Sequence, residues 1–371
     1  MLNPESPKHF LINKRKIRLK DVESELDKIQ ERDNFEYHSL KTISDWIAGK
    51  DFFELTTSGS TGPPKAIQLS RQQLEASARM TCEILGLTTG DKALICINSA
   101  FIGGKMMIIR SLLGGLAMTL VEPEADPFQQ IPVDDYYDFM AVVPIQLTKL
   151  IEEKSSLERL NSFKAIIVGG AQVSQSLLKK IQIVKSPIFA TYGMTETASH
   201  IALKRLNGLQ ANTYYNVFPG ISIKTDQRNC LVISGPQTGN NEIVTNDIVN
   251  IISPQEFEWI GRMDNVINSG GLKIQLELVE RMLYDLLEDH NILQPFFVHA
   301  LEDELLGQKL ILLLEGEDSS QIDLLENLKA SLGRFTPKEV YWIPNFSRTI
   351  TGKIKRNATI KENEDIIKKI D

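Results

Sequence analysis

The chain has 371 residues and a formal charge of −7, from 41 Lys and Arg against 48 Asp and Glu, with 42% hydrophobic residues. It is long enough for about two or three domains with a sizeable core and too apolar for wholesale disorder or a fibrous repeat, and its acidic balance argues against a general affinity for nucleic-acid phosphates. Three cysteines, Cys82, Cys96 and Cys230, lie far apart without a CxxC pair, so neither a disulfide framework nor a zinc knuckle is expected and the thiols should be buried.

In chain order, the N-terminus is polar and carries the basic run Asn13-Lys14-Arg15-Lys16-Ile17-Arg18 without the apolar core or small-residue cleavage site of a secretory leader, which makes the cytoplasm the expected compartment. Phe52-Phe53-Glu54-Leu55 and Ala66-Ile67-Gln68-Leu69 read as short strands on either side of a segment rich in Ser, Thr and Gly. Between about Lys92 and Thr191 short strand-like runs (93–97, 117–121, 140–143, 165–168, 188–190) alternate with helical patterns (106–113, 147–152, 177–184). Runs that are apolar throughout suit a parallel sheet covered by helices on both faces, with ligands at the carboxyl ends of its strands. The most apolar stretch, 106–121, is interrupted by Arg110, Gly114 and Gly115 and falls short of the roughly 20 residues of a membrane span. Past His200 the texture changes to loops (207–212, 234–241) between strand-like pieces (217–223, 231–233, 242–245, 248–252), a smaller β-rich lobe at about 207–262. After Gly261-Arg262-Met263-Asp264 follow a strand, a charged helix at 277–288, strands near 296–299 and 309–314, a helix near 324–332 and a strand at 340–343. The expected organisation is α/β: a large doubly wound N-terminal domain, 1–262, and a small mobile α+β lid domain, 263–371.

Four segments carry chemistry. In Thr56-Thr57-Ser58-Gly59-Ser60-Thr61-Gly62-Pro63-Pro64-Lys65, small hydroxyl residues and glycines let the backbone wrap a polyphosphate with successive N–H groups, while Lys65 supplies positive charge. The GxxxxGK[ST] of a Walker A loop occurs nowhere and no Gly-x-Gly pair exists, so neither a P-loop NTPase nor a Rossmann fingerprint is present; an ordinary Ser/Thr-rich hairpin has the same composition. Thr191-Tyr192-Gly193-Met194-Thr195-Glu196-Thr197 follows a strand, where a doubly wound sheet presents its ligand loops. Glu196 there suits Mg²⁺ against phosphate oxygens, Thr195 offers a hydroxyl and Tyr192 a flat face for a base; a strand-end turn with a capping Thr and Glu is the alternative. Asp247 and Arg262 suit the two sides of a ribose, or else a turn and a surface ion pair, and Gly270-Gly271 marks a tight bend or a close approach to a ligand. Arg348-Thr349-Ile350-Thr351-Gly352-Lys353-Ile354-Lys355-Arg356 is either a solvated charge run or a loop that brings Lys353 to an anionic transition state.

In this order and approximate spacing the four segments resemble the core motifs of the adenylate-forming superfamily, the acyl-CoA synthetases, peptide-synthetase adenylation domains and luciferases, from about Leu55 to Arg356. The resemblance implies that Thr57, Ser58, Gly59, Ser60, Thr61, Gly62 and Lys65 form the phosphate loop, and that Tyr192, Gly193 and Met194 bind the nucleotide. It also implies catalytic roles for Thr195, Glu196 and Lys353, with Glu196 on the metal. Asp247 is then the ribose ligand, Arg262 a nucleotide contact, Asp264 the hinge, and Gly270 and Gly271 the face that admits a thiol. ATP, Mg²⁺ and CoA follow as cofactors and co-substrates, with a small-molecule carboxylic acid as partner and no nucleic acid or membrane. A carboxylate oxygen would attack the α-phosphorus of ATP, releasing pyrophosphate, and the acyl-adenylate would pass its acyl group to the thiol.

Within the superfamily, residues 101–115 and 266–274 resemble the o-succinylbenzoate–CoA ligases of menaquinone biosynthesis. That resemblance makes Arg110, on an otherwise apolar helix, the candidate for a second carboxylate, with Gly169, Gly170 and His200 beside it in the acid pocket; a snorkelling or surface ion-paired Arg110 is the alternative. Only 57 residues precede Ser58, so the N-terminal subdomain that completes the acyl and CoA surface of typical members is expected to be largely absent. Asn246 stands where a glycine is usual before the ribose aspartate, and the proline usual after the hinge is replaced around Gln275-Leu276. The other functional expectations are an adenylating enzyme for a different aryl or fatty acid or for a carrier protein, and a non-catalytic nucleotide-binding relic.

Overall fold

The computed structural model describes residues 7–56, 66–317, 324–348 and 354–367. These residues fall into two compact units: one holds the chain up to Lys224 with Val232–Val244 and Ile251–Glu258, the other Thr225–Leu231, Thr245–Asn250 and the chain from Trp259 onward.

In the first unit, the strands Lys92–Ile95, Ala117–Leu120, Phe139–Val142, Ala165–Val168 and Ile188–Met194 pair in parallel. Phe139–Val142 and Ala165–Val168 are buried at every position, because helices cover both faces of the sheet; hence the unbroken apolar runs in the sequence. Leu94, Met140, Leu147, Leu150, Ile166, Ile181 and Ile188 meet in one core on one side of these strands. From Lys92–Ile95 the chain passes through the helix Ile102–Gly114 to the neighbouring strand Ala117–Leu120. It then returns past its starting point to Phe139–Val142 and continues in the opposite direction through Ala165–Val168 to Ile188–Met194. The winding therefore reverses between Lys92–Ile95 and Phe139–Val142, the point at which open α/β sheets bind ligands beyond the strands' carboxyl ends.

Beyond this parallel centre, His9–Ile12 and Arg15–Arg18 extend one side of the sheet. On the other side, Ser199–Arg205 runs back antiparallel against Ile188–Met194, and Tyr215–Val217 follows it. The sequence pattern ended the strand at 190 and placed loops after His200. Both limits move because Tyr192-Gly193-Met194 continues the strand and Thr195–Thr197 is the turn of a hairpin rather than the start of a helix. The two short strands expected here, Phe52–Thr56 and Ala66–Ser70, are present and pair with each other as a separate antiparallel hairpin, Thr56 opposite Ala66. The serine- and glycine-rich residues 57–65 between them lie outside the described residues. Helix Arg71–Ile84 starts directly from this hairpin with a capping box: Ser70 Oγ accepts from Gln73 N at 3.3 Å, and Gln73 Oε1 accepts from Ser70 N at 2.9 Å.

The second unit contains the antiparallel strands Val266–Ser269, Leu272–Gln275, Phe296–Asp303 and Gly307–Glu315, with Glu339–Ile343 parallel to the last. Helices Leu276–Asp289 and Leu324–Leu332 supply Val279, Leu283, Leu287 and Leu328 to a core with Leu312. Phe297, Ile311, Tyr341 and Phe346 form a second core. The fold is thus mixed α/β, a large sheet-rich unit and a smaller one, as the alternating pattern led one to expect. All three cysteines are buried and free, and among the described residues no helix is long and apolar enough to cross a membrane.

Candidate active site

The turn that carries Thr195 and Glu196 is built by its neighbours. Thr197 Oγ1 accepts from Met194 N at 3.0 Å and lies 2.7 Å from the Ser199 carbonyl, closing the hairpin on itself. A Cβ on Gly193 would sit 2.2 Å from the Ser199 carbonyl oxygen, so only glycine lets the two strands approach there. Ala198 and Ser199 both adopt positive φ, +50° and +94°, a conformation disfavoured for side-chain-bearing residues and stored where the chain reverses. Residues of the turn lie within 8 Å, Cα to Cα, of the strand Ala66–Ser70, which leaves the hydroxyl-rich loop, and of the turn Pro236–Thr238. The turn and the strand that follows the hydroxyl-rich segment are thereby neighbours within one unit. Glu196 is half-buried and makes no ion pair among the described residues. No group of three or more His, Cys, Asp or Glu residues suited to a metal occurs among the described residues. A lone half-buried carboxylate such as Glu196 is the kind of ligand Mg²⁺ takes, one or two carboxylates beside its waters and phosphate oxygens, rather than the cage of a structural ion. Tyr192 is buried in an aromatic cluster, 4.9 Å from Phe257 edge to face and 5.6 Å from Tyr215.

At the carboxyl ends of the parallel strands, Gly169 lies so close to Thr191 that a Cβ would meet Oγ1 at 2.5 Å, while Thr191 Oγ1 donates to the Val168 carbonyl at 3.2 Å. Gly170 has φ +80° and faces Val143. Gly104, in the first turn of the helix Ile102–Gly114, packs against the Asn98 backbone, where a Cβ would meet the carbonyl oxygen at 2.5 Å. That close packing brings the helix onto the sheet and carries Arg110 with it into the interior. Arg110 is 1% exposed. It neither snorkels to the surface nor ion-pairs there: Nη2 donates to Ser199 Oγ at 3.1 Å and faces His200 Nδ1 at 3.4 Å, and Nε has no partner among the described residues. Burial pulls the guanidinium's pKa down to about 10 and holds the His200 imidazole well below its ordinary value, with the charge of Arg110 as the second cause. Around His200 stand Thr81 at 3.0 Å and Phe218, edge to face at 5.4 Å. Thr81, Ser199 and Phe218 were not singled out in the sequence. The legible sign of Thr81 was the pattern Leu74, Ser77, Ala78, Thr81, which puts two hydroxyls on the buried stripe of an amphipathic helix.

In the second unit, Asp247 is buried. Its Oδ1 accepts from Trp259 Nε1 at 3.2 Å and lies 3.6 Å from Arg262 Nη1. Arg262 also pairs with Asp264 at 2.5 Å, and Asn246 Nδ2 donates to Asp264 Oδ1 at 3.1 Å, so Asp247, Arg262 and Asp264 form one polar cluster. Trp259 is the member of that cluster to which the sequence assigned no role. Gly270 and Gly271, with φ +58° and +81°, make the two-residue turn between Val266–Ser269 and Leu272–Gln275. Lys353 lies outside the described residues, as do all of the phosphate-loop candidates from Thr57 to Lys65. The flanks of the Lys353 segment are fixed: Arg348 pairs with Ile354 across the backbone and with Glu315 at 2.6 Å, and Arg356 reaches the half-buried Glu280 at 2.9 Å.

Residues 13–231 match the family model described as AMP-binding enzyme. The chain is 26% identical over 326 residues to 2-succinylbenzoate–CoA ligase of Escherichia coli K12, covering 84% of this chain and 67% of that one. It is similar, at 37% identity and a TM-score of 0.61, to the acyl-CoA synthetase (AMP-forming)/AMP-acid ligase II-like protein of Dyadobacter fermentans, with 91% of this chain and 96% of that chain covered. O-succinylbenzoate coenzyme A synthetase from Bacillus subtilis, solved with ATP and magnesium, shares the fold at a TM-score of 0.65 and 23% identity, over 82% of this chain and 68% of that one.

Proposed function

Because the chain belongs to the family of AMP-binding enzymes, we propose that it is an ATP-dependent acid–CoA ligase whose acid is 2-succinylbenzoate. What carries the adenylation chemistry is the proximity, within 8 Å Cα to Cα, of the Thr195–Thr197 turn to the strand that emerges from the hydroxyl-rich loop. A carboxylate oxygen of the acid attacks the α-phosphorus of ATP, the bond to the bridging oxygen of pyrophosphate breaks, and pyrophosphate leaves with its electron pair. Ser58, Ser60, Thr61 and Lys65 hold the departing phosphates, and Lys353 stabilises the charge that builds on the α-phosphate. Glu196 is the residue that would hold Mg²⁺, which supplies charge neutralisation at the phosphate oxygens. Asp247 accepts from the ribose hydroxyls and Arg262 donates beside it. In the second half-reaction the CoA thiolate attacks the acyl carbon and AMP departs. Asp264 serves as the hinge between the two half-reactions, and the Gly270-Gly271 turn borders the thiol's route.

The acid preference rests on Arg110. A buried guanidinium is stable only when its charge is compensated, and the partners described around it are neutral. The second carboxylate of a dicarboxylic aromatic acid supplies the missing anion; since Arg110 is 1% exposed, it does so by displacing the side chains that cover the guanidinium. Pyrophosphate exchange over a panel of carboxylic acids tests this, followed by trapping the acyl group on CoA and on a phosphopantetheine carrier side by side. Exchange is expected with 2-succinylbenzoate, at least tenfold weaker with benzoate or a fatty acid, and with CoA as the better acceptor. Preference for a monocarboxylic acid would overturn the substrate assignment, transfer to the carrier alone would overturn the acceptor, and no exchange with any acid would leave a nucleotide-binding relic.

A further inference from the structure

Arg110 is tied into a chain of neutral groups whose hydrogen-bond directions can be followed from end to end. Thr81 Oγ1 donates to the Ser77 carbonyl at 3.0 Å, one turn back on its own helix. A hydroxyl has one hydrogen, so with that hydrogen committed Thr81 Oγ1 accepts from His200 Nε2, also at 3.0 Å, and Nε2 carries the ring proton. Nδ1 is then a bare lone pair, faced by Arg110 Nη2 at 3.4 Å, which can only donate, and by the Ser199 hydroxyl at 3.5 Å, which can donate its one hydrogen there. The opposite tautomer would set two N–H groups against each other and leave Thr81 nothing to accept. An imidazolium would bury a second positive charge beside the first, and burial together with Arg110 holds the ring neutral. Ser199, displayed by its positive φ, completes the set by accepting from the same Nη2 at 3.1 Å.

We propose that His200 is a positioning residue for acid recognition: fixed by Thr81 as the Nε2–H tautomer, it holds the Arg110 guanidinium in one orientation and leaves the Nε–H for the carboxylate of the substrate. The proposal rests on the assignment of Arg110 to that carboxylate, and it adds Thr81, whose hydroxyl is bonded to Ser77 and His200, to the residues that set acid affinity. The full-length protein tests it in three variants. Thr81→Val removes the acceptor and frees the ring to flip; Thr81→Ser restores the hydroxyl; Arg110→Gln removes the carboxylate ligand. In pyrophosphate exchange, Thr81→Val is expected to raise KM for 2-succinylbenzoate about tenfold with kcat and KM for ATP within about twofold, the scale of one hydrogen bond to a charged group, and Thr81→Ser to stay within about twofold of wild type. ¹⁵N NMR of the imidazole, assigned by loss of its signal in His200→Gln, is expected to show Nε2–H in wild type and Thr81→Ser and a shift toward Nδ1–H in Thr81→Val. A wild-type ring that is Nδ1–H or doubly protonated at pH 7 overturns the proposal without recourse to any variant. So does Thr81→Val with an unchanged acid KM, or with kcat and both KM values damaged alike. If Arg110→Gln leaves the acid KM unchanged, the substrate assignment itself fails; if it raises that KM while Thr81→Val is silent, only the positioning role fails.

Discussion

Two histidines are held neutral by burial, His200 in the first unit and His299 in the second, where burial and then the charge of Arg356 depress its pKa. Each has a folded pKa below its unfolded value, so below about pH 6.5 the unfolded chain binds a proton that the folded chain refuses. The stability each contributes is full above the unfolded pKa and is lost as pH falls toward the folded one, by up to about 1.4 kcal/mol per pH unit per histidine. Urea unfolding between pH 7.5 and 5.5 should show that slope, and His200→Gln should make it shallower by up to one proton's worth while His299 titrates unchanged; an identical slope in wild type and variant would mean that His200 is protonated in the folded protein. At this scale the sequence revealed the charged members of the site and, through the family resemblance, His200, but not the hydroxyls and the indole that partner them. Arg110 stood out because a guanidinium interrupts an apolar helix, and Asp247 because it fell at a motif position. Ser199 and Trp259 look in one dimension like any hydroxyl or aromatic, and Thr81 shows only that it faces the core; all three acquire a role when the fold sets them against Arg110, Asp247 and His200.

Among the elements, hairpins decide where the chemistry is displayed, and glycines decide the hairpins. In the Ile188–Arg205 hairpin the two strands close on Gly193, where a side chain would strike backbone at 2.2 Å, an atom that cannot rotate away. Gly193→Ala should therefore force the strands apart and shift Thr195 and Glu196. A loss of about 1–3 kcal/mol is expected from overpacking, with a fall in pyrophosphate exchange larger than the stability loss explains. Activity that tracks Tm alone across such variants would show that the turn has no part in adenylation. Gly270-Gly271 is the opposite case: a Cβ on Gly271 meets nothing within 4 Å, so its constraint is the backbone conformation alone. Gly271→Asn should be nearly neutral and Gly271→Val should cost about 1–2 kcal/mol in thermal unfolding, because asparagine tolerates left-handed φ and a β-branched residue does not. The parallel strands were legible because a sheet covered on both faces needs unbroken apolar runs. The hairpin was not, since Tyr-Gly-Met-Thr-Glu-Thr has the composition of a loop and its strand character comes from pairing with Ser199–Arg205.

Over the molecule as a whole the motifs are each ambiguous alone and become informative through their order along the chain. The proposed ligase runs two reactions, adenylation and thioester formation, and only the first builds charge on the α-phosphate that a cation would stabilise. Lys353 is assigned to the first only. Its segment is tied at both ends by ion pairs within the second unit, Arg348 to Glu315 and Arg356 to Glu280. Burial raises the pKa of Glu280, and the facing charge of Arg356 favours its ionised form. Lys353→Ala should accordingly slow pyrophosphate exchange by about a hundredfold or more, the scale for losing one donor to a developing oxyanion. Acyl-CoA formation from added acyl-adenylate should stay within a few-fold of wild type. Equal loss in both half-reactions would mean that the lysine supports the fold or the adenylate generally. Wild-type exchange would remove it from the chemistry, and the cation at the α-phosphate would then have to be sought elsewhere, with Lys65 the first candidate because it closes the hydroxyl-rich segment between the strands Phe52–Thr56 and Ala66–Ser70.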